Sequence, residues 1–216
     1  AGLVLVPLIL KPRIGQIGSI AASLMLAFSP SMLYYSRFAR NDIFMAVFAL
    51  ALVGVMWRYI DERRNRWLYT GAGIIALGFT TKETQYIIIA LLITYLITQV
   101  WREIRDWLYA RKSLNEFSPS ASFLVLIATL TLPLCVAGIA IFQNMAGITL
   151  AAGDGVPGLV TGSPAGIGWV VAVGVSVILL AACLWVGWYW SRRVFIRAWA
   201  VFAVIFVLIF TNIGSN

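Results

Sequence analysis

Residues 29–42, SPSMLYYSRFARND, place two arginines, one aspartate and two tyrosines between hydrophobic runs. The run Ile14–Tyr34, which overlaps this stretch, and the run Ile43–Ile60 each approach the roughly 20 residues that a transmembrane helix needs. Because charge is costly to keep beside lipid, a charged cluster at this position indicates a functional site by default. The stretch therefore predicts two membrane spans whose connection carries chemistry.

The composition extends this interpretation to the whole chain. Hydrophobic residues make up 62% of it and charged residues 11%, whereas a soluble domain averages roughly 45–50% and about 25%. We predict an all-α, polytopic transmembrane helical bundle of about seven spans plus a truncated one, forming a single domain over residues 1–216. The spans are Ala1–Leu10, Ile14–Tyr34, Ile43–Ile60, Trp67–Thr80, Gln85–Trp101, Ala121–Gln143, Ile167–Trp190 and Val194–Phe210. Since Ala1–Leu10 is half as long as a span, we expect a fragment of a larger protein.

The basic residues predict the orientation in the membrane. Of the sixteen Lys and Arg residues, Arg37, Arg40 and Lys82 lie in one set of alternate connections and the rest lie in the other set. By the positive-inside rule the richer set is cytoplasmic, so Arg37–Asp42 and Lys82–Glu83 lie outside. Five of the eight acidic residues lie on the predicted cytoplasmic side and three lie outside, so the cytoplasmic side carries the whole net charge of +8. The charge thus reflects topology and does not indicate nucleic-acid binding.

Two segments carry packing information. Trp67–Thr80 is rich in glycine and alanine, and small residues let helix backbones approach closely in lipid, so we expect this helix inside the bundle. Trp101–Lys112 has apolar residues along one helical face. It predicts either a helix lying in the cytoplasmic interface or a continuation of the preceding helix.

Other motifs exclude several classes of site. Gly153–Gly158 formally matches a dinucleotide fingerprint, but its flanks are membrane helices and Pro157 interrupts a helix start, so an outer loop is predicted. Histidine is absent from the chain, which excludes a His-ligated haem or metal.

The charges outside the membrane allow two interpretations. Arg37 and Arg40 are three residues apart and share a face if this turn is helical. They either anchor to lipid headgroups while Asp42 caps the next helix, or grip a phosphate while Asp42 faces a reacting hydroxyl or a metal. Lys82 and Glu83 are adjacent, so on a helix they point apart and each needs a partner elsewhere. Asp42 is available for Lys82, and Arg37 or Arg40 for Glu83. These pairs form either a structural network or a catalytic site.

The order of the motifs resembles that of the GT-C glycosyltransferases. Residues 27–30 read AFSP, residues 40–42 read RND, residues 66–68 read RWL and residues 81–83 read TKE. The motif-bearing part, residues 14–101, is similar to the dolichyl-phosphate-mannose protein mannosyltransferase-like branch, which often has Thr-Lys-Gly at the last position. The string YYSRFARND at residues 34–42 most resembles a bacterial and archaeal subfamily, the flippase-activity-associated glycosylation proteins. Residues 121–210 match only in hydropathy.

The resemblance implies a GT-C-like enzyme of the prokaryotic cytoplasmic membrane that takes a sugar from a polyprenyl-phosphate donor on the non-cytoplasmic side. It implies that Asp42, at the position of a second site carboxylate, helps to build the site, whereas Glu83 departs from the family motif. We predict that Asp42 and Glu83 are the catalytic acid/base or metal-positioning groups and that Arg37, Arg40 and Lys82 bind the donor phosphate. In this family the principal base is an acid in the first outer loop, which here would precede the sequence.

Two alternatives remain open: a carrier or flippase for the same lipid-linked sugar, and a non-catalytic subunit of a larger membrane complex. The implied partners are the polyprenyl-phosphate sugar, membrane lipid and, in the second alternative, other membrane subunits. A divalent metal held by carboxylates and water suits such a site, but no residue pattern requires one. The sugar and the acceptor are not indicated.

Overall fold

The structure is a computed structural model that describes residues 2–30, 34, 42–109, 117–135, 147–150 and 164–210. Nine-tenths of the described residues are helical and none of them forms a strand, so the predicted all-α class is confirmed. The helices are α1 (Gly2–Phe28), α2 (Asp42–Glu62), α3 (Asn65–Thr81), α4 (Gln85–Leu108), α5 (Pro119–Thr131) and α6 (Ile167–Phe210). Of these, α2, α4 and α6 are long and apolar enough to cross a membrane. The number of spans stays a prediction.

Helices α2 and α3 form an antiparallel hairpin. Only Arg63 and Arg64 separate them, and Arg63 has a φ of 51°, a left-handed conformation that reverses the chain sharply. At 1.5 Å per residue the two helices are about 30 Å and 25 Å long. The start of α2 at Asp42 and the end of α3 at Thr81 therefore lie at the same end of the bundle.

Helix α3 lies at the centre of the bundle and packs against α2, α4, α5 and α6. Its residues Leu68, Ala72, Ile75 and Ala76 are 0–1% exposed. Close approach depends on small residues, because a Cβ at Gly73 would lie 3.3 Å from Ile205 of α6. The expectation that this segment lies inside the bundle is confirmed.

Helix α6 consists of two limbs that meet at Ser191, where φ is −165° and ψ is 94°. The ring of Phe195 lies where a Cβ of Gly187 would be; eight residues apart in one straight helix they would be about 12 Å apart, so the chain folds back. The Trp190 indole N–H donates to Ser122 Oγ of α5 at 3.4 Å. The limbs match the predicted spans Ile167–Trp190 and Val194–Phe210.

Helix α1 differs from the prediction. The sequence suggested a connection at Lys11–Arg13, but these residues are helical and the only non-helical residue inside α1 is Gly15, with φ 72°. Lysine and arginine are good helix formers, so their charge alone does not end a helix. Helix α1 ends at Phe28, ahead of Pro30, and the part of the predicted span from there to Tyr34 is only partly described.

The remaining segments are only partly described. The segment beginning at Trp101 continues α4 as far as Leu108, with a break at Val100 where φ is −111°, which supports the continuation interpretation. Helix α5 covers the first part of the predicted span Ala121–Gln143. Residues 136–143 of that span and the loop Gly153–Gly158 lie outside the described residues.

Candidate active site

The start of α2 and the turn between α3 and α4 lie at one end of the bundle, which we call the Lys82 end and define by Asp42, Lys82 and Glu83. Asp42 is the first residue of α2. Lys82 caps the end of α3, with an extended backbone whose N–H donates to the Gly78 carbonyl at 3.1 Å. Glu83 follows in the turn before α4. The hairpin therefore brings both predicted carboxylate positions and the lysine position to one end.

The predicted ion pairs at this end stay predictions. Arg37 and Arg40 lie outside the described residues, and so does the side chain of Asp42. The pairing of Asp42 with Lys82, and of either arginine with Glu83, is therefore carried forward as a hypothesis.

The α3–α4 turn is a closely hydrogen-bonded corner. The N–H groups of Gln85 and Tyr86 donate to the carbonyls of Lys82 and Glu83 at 3.2 Å and 3.1 Å. The N–H of Ile87 donates to the Thr84 carbonyl at 3.1 Å. Because these bonds fix the backbone, the exposed side chains of Lys82 and Glu83 extend from a rigid support. The corner thus presents a cation and a carboxylate side by side.

Tyr86 attaches this corner to α5. Its hydroxyl donates to the Leu134 carbonyl at 2.9 Å, and its ring meets Phe79 edge-on with centroids 4.8 Å apart. The side chain is half-buried. Tyr86 therefore holds the end of α3, the start of α4 and the end of α5 together.

Gln85 is a residue of this end that the sequence analysis did not single out. Its side chain is 1% exposed, and neither Oε1 nor Nε2 has a hydrogen-bond partner within the described part of the chain. In the sequence it is only the first residue of a predicted span. The available signal was a carboxamide at the edge of an apolar run, three residues after Lys82.

An apolar groove begins one helical turn below Gln85. It has a volume of about 450 Å³ and lies between α2 and α4. Its lining residues are hydrophobic or aromatic and include Ala49, Leu52, Met56, Ile88, Leu92 and Tyr95. From Ile88 to Tyr95 the groove extends about 10 Å along the helix axis. Such a surface suits a hydrocarbon chain.

The opposite end of the hairpin carries a different network. Glu62 accepts from Arg66 at 2.7 Å, from Arg58 at 3.3 Å and from the Trp67 indole N–H at 3.0 Å. Nearby, Arg13 of α1 pairs with Asp61 at 2.8 Å. These residues belong to the predicted cytoplasmic side. Their charges pair with each other and connect α1, α2 and α3.

No group of three or more His, Cys, Asp or Glu residues suited to a metal occurs in the described ranges. A divalent metal at the Lys82 end, held by carboxylates such as Asp42 and Glu83, stays a prediction.

The helices, the groove and the charged corner together define a polytopic membrane protein suited to an amphipathic ligand. A family model described as dolichyl-phosphate-mannose-protein mannosyltransferase matches residues 1–122, which is more than half of the chain. The chain belongs to this family and is a membrane glycosyltransferase of the GT-C type. The match extends beyond residues 14–101 on both sides, whereas the flippase-associated subfamily stays a prediction. No curated protein and no solved structure matches the chain.

Proposed function

We propose that the protein transfers a sugar from a polyprenyl-phosphate donor to an acceptor on the non-cytoplasmic side of a prokaryotic cytoplasmic membrane. The observation that carries the proposal is the apolar groove, whose α4 wall begins at Ile88, one turn after Gln85, and whose α2 wall runs from Ala49 to Trp57. A lipid phosphate needs an apolar surface for its tail beside a cation for its head. Ile88 in the groove and Lys82 at the corner are only six residues apart along the chain.

The residue types at this end suit the chemistry of glycosyl transfer. The bond between the sugar and the phosphate breaks, and a bond forms to the acceptor hydroxyl, whose proton must be accepted. Asp42 or Glu83 assists this proton transfer as an acid/base group, beside the principal base that the resemblance places in the first outer loop. Lys82, with Arg37 and Arg40, stabilises the charge of the departing polyprenyl phosphate.

The test is transfer activity of the full chain in proteoliposomes, with polyprenyl-phosphate mannose as donor and a membrane extract as source of acceptor. We expect Asp42→Asn to lower turnover by about 100-fold, the lower end of what a positioned acid/base group contributes. Asp106→Asn is the matched control, because it removes the same charge near the other end of α4. It should leave turnover unchanged.

Two results would contradict the proposal. Equal turnover in wild type and Asp42→Asn would remove Asp42 from the site. Movement of the donor across the bilayer with no transfer, followed with the same donor lipid, would identify a carrier instead.

A further inference from the structure

We propose that the side-chain amide of Gln85 binds the sugar of the donor by hydrogen bonds to ring hydroxyls, and so helps to determine which sugar is accepted. This inference rests on the proposed function and names a part of the same site. It starts from a single unsatisfied side chain.

Gln85 differs from the other buried polar residues of the described chain. These are Ser19, Gln85, Ser122, Thr129 and Thr131. The hydroxyls of Ser19, Thr129 and Thr131 donate to carbonyls of their own helices, and that of Ser122 accepts from an indole N–H. Gln85 alone among them has both polar atoms without a partner in the described ranges; the other buried side-chain atom there without a partner is the indole Nε1 of Trp199. Because buried polar groups are normally paired, an unpaired carboxamide of this kind is a candidate contact for a ligand.

The position of the amide is fixed by packing. A Cβ at Gly78 of α3 would overlap Cδ and Oε1 of Gln85, so the carboxamide lies flat against the glycine. The side chain is thus held at the interface of α3 and α4 although no hydrogen bond holds it there. An amide fixed before binding loses little conformational entropy on binding.

The chemistry of a carboxamide distinguishes among the parts of a donor. Oε1 accepts a hydrogen bond and Nε2 donates two. A phosphate diester or monoester oxygen mainly accepts, and an isoprenoid chain does neither. Neighbouring sugar hydroxyls both donate and accept, so one pair can satisfy Oε1 and Nε2 together.

The location of Gln85 agrees with this assignment. It lies one turn above Ile88 of the groove and three residues from Lys82. A donor whose tail occupies the groove and whose phosphate meets Lys82 carries its sugar at this same end. Because Oε1 and Nε2 of Gln85 are both buried, a sugar reaches them only when the side chains packed around the amide move.

The experiment measures binding to the full chain by tryptophan fluorescence. The probes are polyprenyl-phosphate mannose, polyprenyl-phosphate glucose, which differs in the orientation of one hydroxyl, and polyprenyl phosphate without a sugar. Gln85→Met preserves the volume and removes both hydrogen-bonding atoms. We expect it to weaken binding of the preferred sugar lipid about tenfold, the value of one or two hydrogen bonds, and to reduce discrimination between the two sugars.

Polyprenyl phosphate without a sugar should bind wild type and Gln85→Met equally. The matched control is Gln99→Met, because Gln99 is exposed on the same helix; it should bind all three probes like the wild type. Gln85→Asn, which withdraws the amide by one carbon, should reproduce the sugar-specific loss and serves as the second variant if Gln85→Met fails to fold.

The outcomes separate this inference from the proposed function. If Gln85→Met and Gln85→Asn bind the sugar lipids as tightly as wild type, or weaken all three probes equally, the sugar contact is wrong while the proposed function stands. If wild type binds none of the three lipids, both are wrong.

Discussion

The carboxamide of Gln85 lies directly over Gly78, so the first turn of α4 reaches α3 only because position 78 has no side chain. The contact lies next to the charged corner at Lys82 and Glu83, at the edge of the apolar interior of the bundle. Gln85 has a proposed ligand, whereas Gly78 contributes only the space that the Gln85 carboxamide occupies. The pair can therefore be tested by stability as well as by binding.

Substitution Gly78→Ala should lower stability, because the new methyl group overlaps the Gln85 carboxamide. Overpacking of this kind costs about 1–3 kcal/mol. Gly174→Ala is the control, since a Cβ there meets nothing within 4 Å; helix propensity should make it neutral or stabilising by up to about 1 kcal/mol. The measurement is the free energy of unfolding in mixed micelles.

A double-mutant cycle completes this test. In the Gln85→Ala background the space opposite position 78 is empty, so Gly78→Ala should lose most of its cost. If the two substitutions simply add, the side chains do not meet as described.

Glu62 gives a prediction for the opposite end of the hairpin. Glu62→Gln removes the charge that accepts from Arg58, Arg66 and Trp67, and it should lower the unfolding temperature. Because salt screens interactions between exposed charges, the difference from wild type should shrink as ionic strength rises. The measurement is thermal unfolding at low and high salt.

Asp106→Asn provides the comparison for Glu62→Gln. Asp106 faces Arg105 at 3.7 Å, and a single exposed pair of this kind contributes little. Its effect on the unfolding temperature should be the smaller one. Equal effects of the two substitutions would show that the Glu62 network contributes nothing of its own.

Lys82→Met tests the phosphate contact separately from catalysis. A charge-assisted hydrogen bond to phosphate contributes about 1.5–3 kcal/mol, so binding of polyprenyl phosphate without a sugar should weaken about tenfold or more. Lys82→Arg should retain most of the affinity. Arg102→Met is the control, because Arg102 is exposed on α4, beyond the break at Val100. Equal binding by Lys82→Met and wild type would contradict the assignment.

Much of the fold could be predicted because lipid is a simple solvent. Apolar runs must become helices there, so α2, α3 and both limbs of α6 fall where hydropathy places them. The break in α1 was misplaced because the charges of Lys11 and Arg13 do not end a helix, whereas Gly15 is the residue that leaves helical geometry. A charged residue in an apolar run therefore does not predict where the helical backbone breaks.

Part of the candidate site could be predicted from sequence and part could not. Asp42 and Lys82 could be placed together from sequence, since two spans joined by a short turn return the chain to the same side. The state of Gln85 could not, because it depends on a contact with Gly78 across two helices. Neither hydropathy nor spacing records whether a buried amide finds a partner. Only the packed bundle shows this.

The groove between α2 and α4 makes the last prediction. Ala49→Trp places an indole where Ala49 lines the groove, so it should exclude a lipid tail and weaken binding of polyprenyl phosphate about tenfold, as overpacking by 1.4 kcal/mol does. Methyl phosphate, which has no tail, should bind as before. Ala90→Trp adds the same ring to an exposed position of α4 and should change neither affinity. The two ligands are compared by equilibrium binding to each variant. Weaker binding of both ligands to Ala49→Trp would indicate that the indole disturbs the Lys82 end itself, and undiminished binding of polyprenyl phosphate would place the tail elsewhere.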